Sequence, residues 1–264
     1  MACTVAVACQ KGGTGKTTTA MTVAAALAEA GRRALLVDLD PQGSLSISAQ
    51  VDVLGAECSI YHVLQAAMRQ PATLKDTLAV ATVPTGLDGV DIIPATLELA
   101  GAELELTSSL EREKVLRTAL APLRGAYEYV VVDCPPSLGL LTVNALVAAD
   151  FFIVPLTPDY LALEGLVNFM GAVDKIRAGI GTVAAPLGIL LTLCDYRLNV
   201  TEEIGRMIRG YYGRLVFKTE IPGNVRLKEA PSFGKSIFAY NTGSSGAEAY
   251  RELTKEVLQR IRKA

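Results

Sequence analysis

Two lysines five residues apart stand in a glycine-rich stretch, CQKGGTGKTTTA, at residues 9–20. Gly15, Lys16 and Thr17 supply the second half of the phosphate-loop pattern G-x-x-x-x-G-K-[ST]. The first glycine of that pattern would fall at position 10, which is Gln10. The glycines stand instead at Gly12 and Gly13, directly after Lys11. A short apolar run, ACTVAVAC (2–9), precedes the loop and an alanine-rich helical stretch follows it, so the loop joins a strand to a helix start. Such a junction cradles anions. Backbone N–H groups and the positive helix end face the phosphates, and glycines let the backbone come close. In that frame Lys16 neutralises the β- and γ-phosphates of a nucleotide, the Thr17 hydroxyl ligates Mg²⁺, and Thr18 lies beside the α-phosphate.

A phosphate loop of this kind also needs a carboxylate for the metal, at the end of an apolar strand. YEYVVVDCPPS (127–137) supplies Asp133, followed by a rigid double-proline turn suited to sensing a γ-phosphate. DLDPQG (38–43) adds Asp38 and Asp40, which strand alternation sends to one side of the backbone. Asp38 is expected near the metal, with hydrogen bonding to loop N–H groups as its competing use. Asp40 is expected to position a water for attack on the γ-phosphate.

These groups need a scaffold that brings them together. Strands are expected at 2–9, 33–38, 89–96, 127–133, 151–156 and 186–195. Helices are expected at 16–30 (stopped by Gly31), at 59–71 (capped by Ser59), within 97–123, and at about 138–148, 160–178 and 200–211. Irregular chain then runs to Tyr240, and a last helix begins near Gly246. Strands alternating with helices imply an α/β fold: a doubly wound, mostly parallel β-sheet flanked by helices. Ligands bind such sheets at the carboxyl ends of their strands, so the loops after residues 9, 38 and 133 should converge on one site. No linker, repeat or low-complexity segment interrupts the pattern, and residues 1–264 are expected to form a single domain.

Composition narrows the function classes. Half of the 264 residues are apolar, yet no run approaches the roughly 18 residues that span a bilayer, and no signal peptide is expected. The five cysteines form no C-x-x-C pair and read as reduced thiols of a cytoplasmic protein. A single histidine, His62, argues against histidine-based catalysis and zinc chemistry. The net charge of −2 hides an asymmetry: residues 1–150 carry 10 basic and 16 acidic side chains, residues 151–264 carry 15 and 11. Between Arg197 and Lys235 there are eight basic residues against four acidic ones, enough for a basic face that binds a polyanion.

KGGTGKTT, DLDPQG and VVVDCPPSLG together resemble the deviant Walker A, Walker A′ and Walker B motifs of the ParA/MinD ATPases, and within them the ParA/Soj branch of partitioning proteins. PLTPDYLALEGL (155–166) and IPGNVRLKEAPSFGKSIFAY (221–240) extend the resemblance over nearly the whole chain. It implies a slow, partner-stimulated ATPase with ATP and Mg²⁺, nucleotide held by Lys11, Gly12, Gly13, Thr14, Gly15, Lys16, Thr17 and Thr18, and the metal held by Thr17, Asp38 and Asp133. By this resemblance Lys11 reaches across a homodimer to the other subunit's nucleotide. A lysine outside its own cradle cannot easily curl back to its own phosphates, which suits that role.

The resemblance also implies that the ATP dimer binds double-stranded DNA without reading sequence, on the nucleoid, and meets a ParB-type centromere-binding protein. Arg197, Arg226, Lys228 and Lys235 are the expected phosphate contacts. The strand near Leu193 and the loop at Pro222 and Asn224 are the expected adenine side. Gly223 departs from the family's IPRN, where an arginine is usual. The helix-turn-helix extension of longer plasmid-type relatives is not expected here. The alternatives are a MinD-like membrane ATPase or a positioner of a protein cargo. Membrane binding is disfavoured because the C-terminal stripe of Tyr250, Leu253, Val257 and Ile261 reads as a packed helix. An iron-sulfur reductase lacks its cluster cysteines, and an ATP-dependent amidase or ligase would lack Lys11.

Overall fold

The computed structural model describes residues 2–53 and 55–264. Among them, seven strands form one sheet: β1 (Cys3–Val7), β2 (Ala34–Asp38), β3 (Val83–Pro84), β4 (Val90–Ile93), β5 (Tyr129–Asp133), β6 (Phe151–Leu156) and β7 (Ala185–Leu191). Their order is β3-β4-β2-β5-β1-β6-β7. All pairings are parallel except the short β3–β4 edge. From β1 the chain builds β2 to β5 on one side and β6 and β7 on the other, so the winding reverses at the central strand. A crevice opens at such a reversal, at the strands' carboxyl ends.

Central parallel strands are covered on both faces and therefore read as unbroken apolar runs, as in ALLVD and YVVVD. Alternation along each strand divides the core. Leu35, Val37, Val130, Val132 and Phe152 face one layer of helices. That layer comprises α3 (Ile60–Arg69), α4 (Leu74–Ala81), α5 (Leu99–Thr107), α6 (Val115–Leu120), α7 (Leu140–Ala148), α8 (Ala162–Ile180) and α9 (Asn199–Tyr212). Val5, Val7, Leu36, Val131 and Ile153 face the other, which holds α1 (Lys16–Glu29), α2 (Ser44–Ser48), α10 (Val225–Glu229), α11 (Ile237–Tyr240) and α12 (Ser245–Lys263).

The helices start and stop for local reasons. Small side chains bury α1 from Thr19 to Leu27, and Gly31 turns the chain away at φ 74°. At α3 the Ser59 side chain accepts from the third helical amide while His62 reaches back to the Ser59 N–H, a reciprocal capping box. The one histidine is thereby spent on a helix start. Tyr250, Leu253 and Val257 of α12 are buried in the α1 layer, as the stripe predicted. No helix among the described residues is long and apolar enough to cross a membrane.

The structure departs from the sequence reading in its short pieces. The expected helical stretch 97–123 is two helices, α5 and α6, separated by a turn in which Glu111 takes φ 48°. Helix α4 and the two-residue strand β3 were not expected. Pro84 is tolerated in β3 because an edge strand has one side free of ladder bonds. The segment expected to be irregular up to Tyr240 contains α10 and α11, which are too short for periodicity to reveal.

On β6 the fully buried Phe152 ring packs edge-on against Phe169 of α8, 6.1 Å between centroids. Phe152→Ala should lower stability by about 3–5 kcal/mol. Urea unfolding should show this as a lower midpoint at an unchanged slope.

Candidate functional site

Three loops meet at the crevice because their strands are neighbours in register. Asp133 of β5 pairs with Val7 of β1 on one side and with Asp38 of β2 on the other. The glycine loop leaves β1 and enters α1 through Gly13 (φ 74°) and Gly15 (φ 81°), conformations that cost a side chain energy. A Cβ built at Gly12, Gly13 or Gly15 meets nothing within 4 Å, so these residues supply clearance and not packing. Gly15 caps α1 without a side-chain hydrogen bond, which leaves the first-turn amides free to bind an anion. The cleft in front of them measures about 350 Å³.

The two lysines take different places. Lys16 is buried, and its Nζ donates to the Lys11 carbonyl at 2.9 Å, with the Cys9 Sγ at 3.9 Å. This tie folds the loop around the lysine that lines the cleft. Lys11 leaves the loop in the other direction and pairs with Asp159, in the turn before α8. It is absent from the nucleotide cleft and lines a neighbouring apolar cleft at α8. Thr14 is buried: its hydroxyl meets Cys9 Sγ at 3.0 Å, and its carbonyl accepts from Thr192 Oγ1 at 2.7 Å. Thr14 therefore braces the loop from behind.

The three aspartates are also divided. Asp133 is 1 % exposed, and neither of its carboxylate oxygens has a hydrogen-bond partner. Burial pushes its carboxyl well above the usual range, and Asp38 pushes it further; the Thr17 hydroxyl and Lys16 pull it back down. Two orphaned oxygens beside a threonine hydroxyl fit a hard cation with oxygen ligands. Mg²⁺ keeps several waters and takes phosphate oxygens as well, so Thr17 and Asp133 are enough protein for it. Asp38, expected at the metal, already uses both oxygens. Oδ1 accepts from the Asp40 N–H at 3.2 Å, and Oδ2 accepts from Ser46 N–H at 2.9 Å and Ser46 Oγ at 2.7 Å. Burial raises it to about 6 against those hydrogen bonds. Asp40 lines the same cleft as Lys16 and accepts from the Gln42 N–H at 3.0 Å through one oxygen.

The cleft is also lined by Leu193, Ile221, Asn224, Leu227 and Tyr250. Leu193 holds φ 53°, a strained conformation for leucine, at the point where its segment turns out of the sheet. Asn224 reaches the cleft, but Pro222 does not line it and instead bridges to Cys194. Tyr250 and Thr192 were missed by sequence reasoning. Tyr250 arrives from α12, with its hydroxyl 3.1 Å from Thr19 Oγ1, and no local pattern signals either residue.

The basic residues scatter. Arg197 is 89 % exposed and makes a bidentate pair with Asp195 at 2.8 and 2.6 Å, holding that carboxyl down at about 2. Arg226 is exposed and pairs with Glu229 at 2.7 Å. Arg209 is engaged by Glu220, and Arg206 by Glu202. Lys228, expected among the DNA contacts, lines the nucleotide cleft, and Lys235 lines a small crevice beside Thr17 and Thr18.

A doubly wound sheet, a glycine cradle on a helix start and a buried strand-end carboxylate are the marks of a phosphate-loop nucleoside triphosphatase. Comparison with known proteins agrees. A family model described as an AAA domain matches residues 2–182. The chromosome partitioning protein ParA of Myxococcus xanthus is 44 % identical over 95 % of this chain and 86 % of its own length. The sporulation initiation inhibitor protein Soj of Bacillus subtilis is 42 % identical over 96 % of this chain and 97 % of its own. A solved structure of cobyrinic acid a,c-diamide synthase from Mycobacterium smegmatis, with ADP and magnesium bound, superposes with a TM-score of 0.82 at 37 % identity, covering 99 % of this chain and 96 % of that one. The chain belongs to the ParA/Soj family of ATPases.

The buried carboxylates give a test of the metal site. A group whose folded value lies above its unfolded value favours folding at low pH and loses that contribution as pH rises through the folded value. Asp133 is in this position, so at pH 7.5 it burdens the nucleotide-free protein. Asp133→Asn should raise the melting temperature of the nucleotide-free protein by a few degrees, at about 2–4 °C per kcal/mol for a chain of this size. The same variant should gain little further stability from ATP with Mg²⁺, whereas the wild type should gain about 2.7 kcal/mol at a hundredfold excess over Kd. Differential scanning calorimetry measures both.

Proposed function

We propose that this protein is an ATP-driven switch that partitions a chromosome or plasmid: ATP closes a homodimer, the dimer holds DNA by its phosphate backbone, and hydrolysis releases it. Residues 1–264 act as a single domain in this reading. The observation that carries it is the separation of the two lysines. Lys16 serves its own cleft, while Lys11 stands at the surface on Asp159, outside that cleft. A cation placed there has no use on its own nucleotide, and a second copy facing it would receive it as an arginine finger is received.

Within each subunit, Gly12, Gly13, Gly15 and the first-turn amides of α1 hold the phosphates, Thr17 and Asp133 hold Mg²⁺, and Asp40 orients the attacking water. Mg²⁺ supplies charge neutralisation for the transferring phosphoryl group. Asp38 acts one step back, clamping the Asp40 backbone and Ser46. The likeness to a synthase solved with ADP and magnesium, over 99 % of this chain, supports a nucleotide in the cleft, and the partitioning role follows the names of the ParA and Soj relatives. A ParB-type partner accelerates the slow hydrolysis, and the working location is the nucleoid in the cytoplasm.

Separate losses should follow from the two lysines. Lys16→Ala should abolish binding of a fluorescent ATP analogue. Lys11→Ala should bind it within about threefold of wild type and stay monomeric by light scattering. Dimers of Lys11→Ala with ATP would remove the trans-lysine reading.

DNA binding should be sequence-blind and salt-sensitive, each phosphate contact contributing a slope of about −0.9 in log K against log salt. With Asp40→Ala holding the ATP state, Arg197→Ala should weaken all duplexes alike and lower the slope by about one. The effect competes with the existing Asp195 pair. Gly223→Arg should tighten binding by adding a cation for a phosphate, and the position has room for it, since a Cβ there meets only the Leu193 and Cys194 carbonyls, at 3.9 Å. Binding that ignores both substitutions would move the DNA surface elsewhere.

A further inference from the structure

Helix α10 carries two positive charges two residues apart, Arg226 and Lys228, and the structure turns them to different sides. Three contacts fix its rotation. The Arg226 N–H donates to Asn224 Oδ1 at 2.8 Å, capping the helix, and Asn224 Nδ2 donates to Ser245 Oγ at 2.9 Å, tying that cap to α12. Leu227 is 6 % exposed and seats against Gly246, where a Cβ would stand 2.8 Å from the leucine Cγ. Any side chain at 246 would dislodge the leucine. With Leu227 pinned inward, residues 226 and 228 lie about 100° to either side of it.

Arg226 takes the solvent side and pairs with Glu229 Oε2 at 2.7 Å, which also accepts from the Tyr240 hydroxyl at 3.1 Å. Lys228 takes the other side and lines the nucleotide cleft with Lys16, Thr18, Asn224 and Leu227. Lys228 makes no ion pair or hydrogen bond through its ammonium among the described residues. A polyanion in this cleft has a use for a second cation, since Asp40 lines the cleft and Lys16, the other ammonium there, also holds the Lys11 carbonyl at 2.9 Å.

We infer that Lys228 is a nucleotide-binding residue whose ammonium contacts the phosphate-bearing polyanion in the cleft, and is not part of the DNA surface. This rests on the ATP reading of the cleft. The contact is exposed, so its worth is that of a screened ion pair, about 0.2–1 kcal/mol, which corresponds to a loss of about 1.5- to fivefold in affinity on neutralisation.

Equilibrium binding of ATP, ADP and adenosine to full-length protein, at about 50 and 300 mM salt, tests it. Lys228→Gln should weaken ATP and ADP at low salt, with the loss shrinking at high salt as screening grows. Adenosine, which has no phosphates, should bind unchanged, Lys228→Arg should restore ATP affinity, and Arg226→Gln should leave all three ligands at wild-type affinity. Wild-type ATP affinity for Lys228→Gln, with DNA binding lost at saturating ATP, would overturn the inference and return Lys228 to the DNA face. A failure of the ATP reading itself is distinguishable: the wild-type protein would not bind ATP, or Lys16→Ala would bind it equally well.

Discussion

Two carboxylates face each other across adjacent strands. The register that pairs Asp38 with Asp133 buries both at the carboxyl edge of the sheet, where neither can be hydrated. Burial raises both groups, the Asp38 charge raises Asp133 further, and the fold would be destabilised without compensation. Much of the local architecture can be understood as that compensation. Asp38 is satisfied by a clamp of amides and a hydroxyl from the turn and start of α2, so the DPQGS segment must bend back over the strand end. Asp133 is left with Thr17 and Lys16, both delivered by the glycine loop from the adjacent strand. The site is thus a charge imbalance held by the sheet, of the sign that a bound cation relieves.

The loop that relieves it is braced from outside its own sequence. Thr192, just past the end of β7, donates to the Thr14 carbonyl, and Thr14 in turn meets Cys9. Lys16 returns to the carbonyl of Lys11 and closes the loop on itself. With the backbone held at these points, the Lys11 side chain is free to point elsewhere, and it finds Asp159. An exposed pair of this kind contributes at most about 1 kcal/mol, so it can be exchanged cheaply for a better partner. The strongest restraints lie on the backbone and the weakest on the side chain that the proposed dimer would redirect.

The central strands and the long helices were legible because burial on both faces or on one stripe leaves a pattern in the residues, as in VVVD of β5 and the Tyr250, Leu253, Val257 stripe of α12. The glycine loop was legible because its spacing is dictated by backbone geometry. Helices α2, α10 and α11 were not, since four or five residues complete little more than one turn and their orientation is set by what they touch. The direction of Lys228 depends on Leu227 meeting Gly246, about 20 residues away in sequence. The use of Asp38 depends on Ser46, which nothing in DLDPQG announces. Strand alternation was expected to send Asp38 and Asp40 to one side, but β2 ends at Asp38, and the pattern could not tell which would be satisfied by protein and which would remain open to the cleft.

Tyr250 closes the cleft that the glycine loop opens, so the first and last layers of the chain share one wall. On a ribosome this has a consequence in time. At roughly 5–20 residues per second, about 230 residues and tens of seconds of synthesis separate Thr18 from Tyr250. During that interval the phosphate loop exists without the aromatic side chain and short helix that complete its surroundings. A nascent chain therefore cannot form the complete nucleotide cleft until Tyr250 has cleared the exit tunnel, so the phosphate loop waits on the last helix for its finished wall.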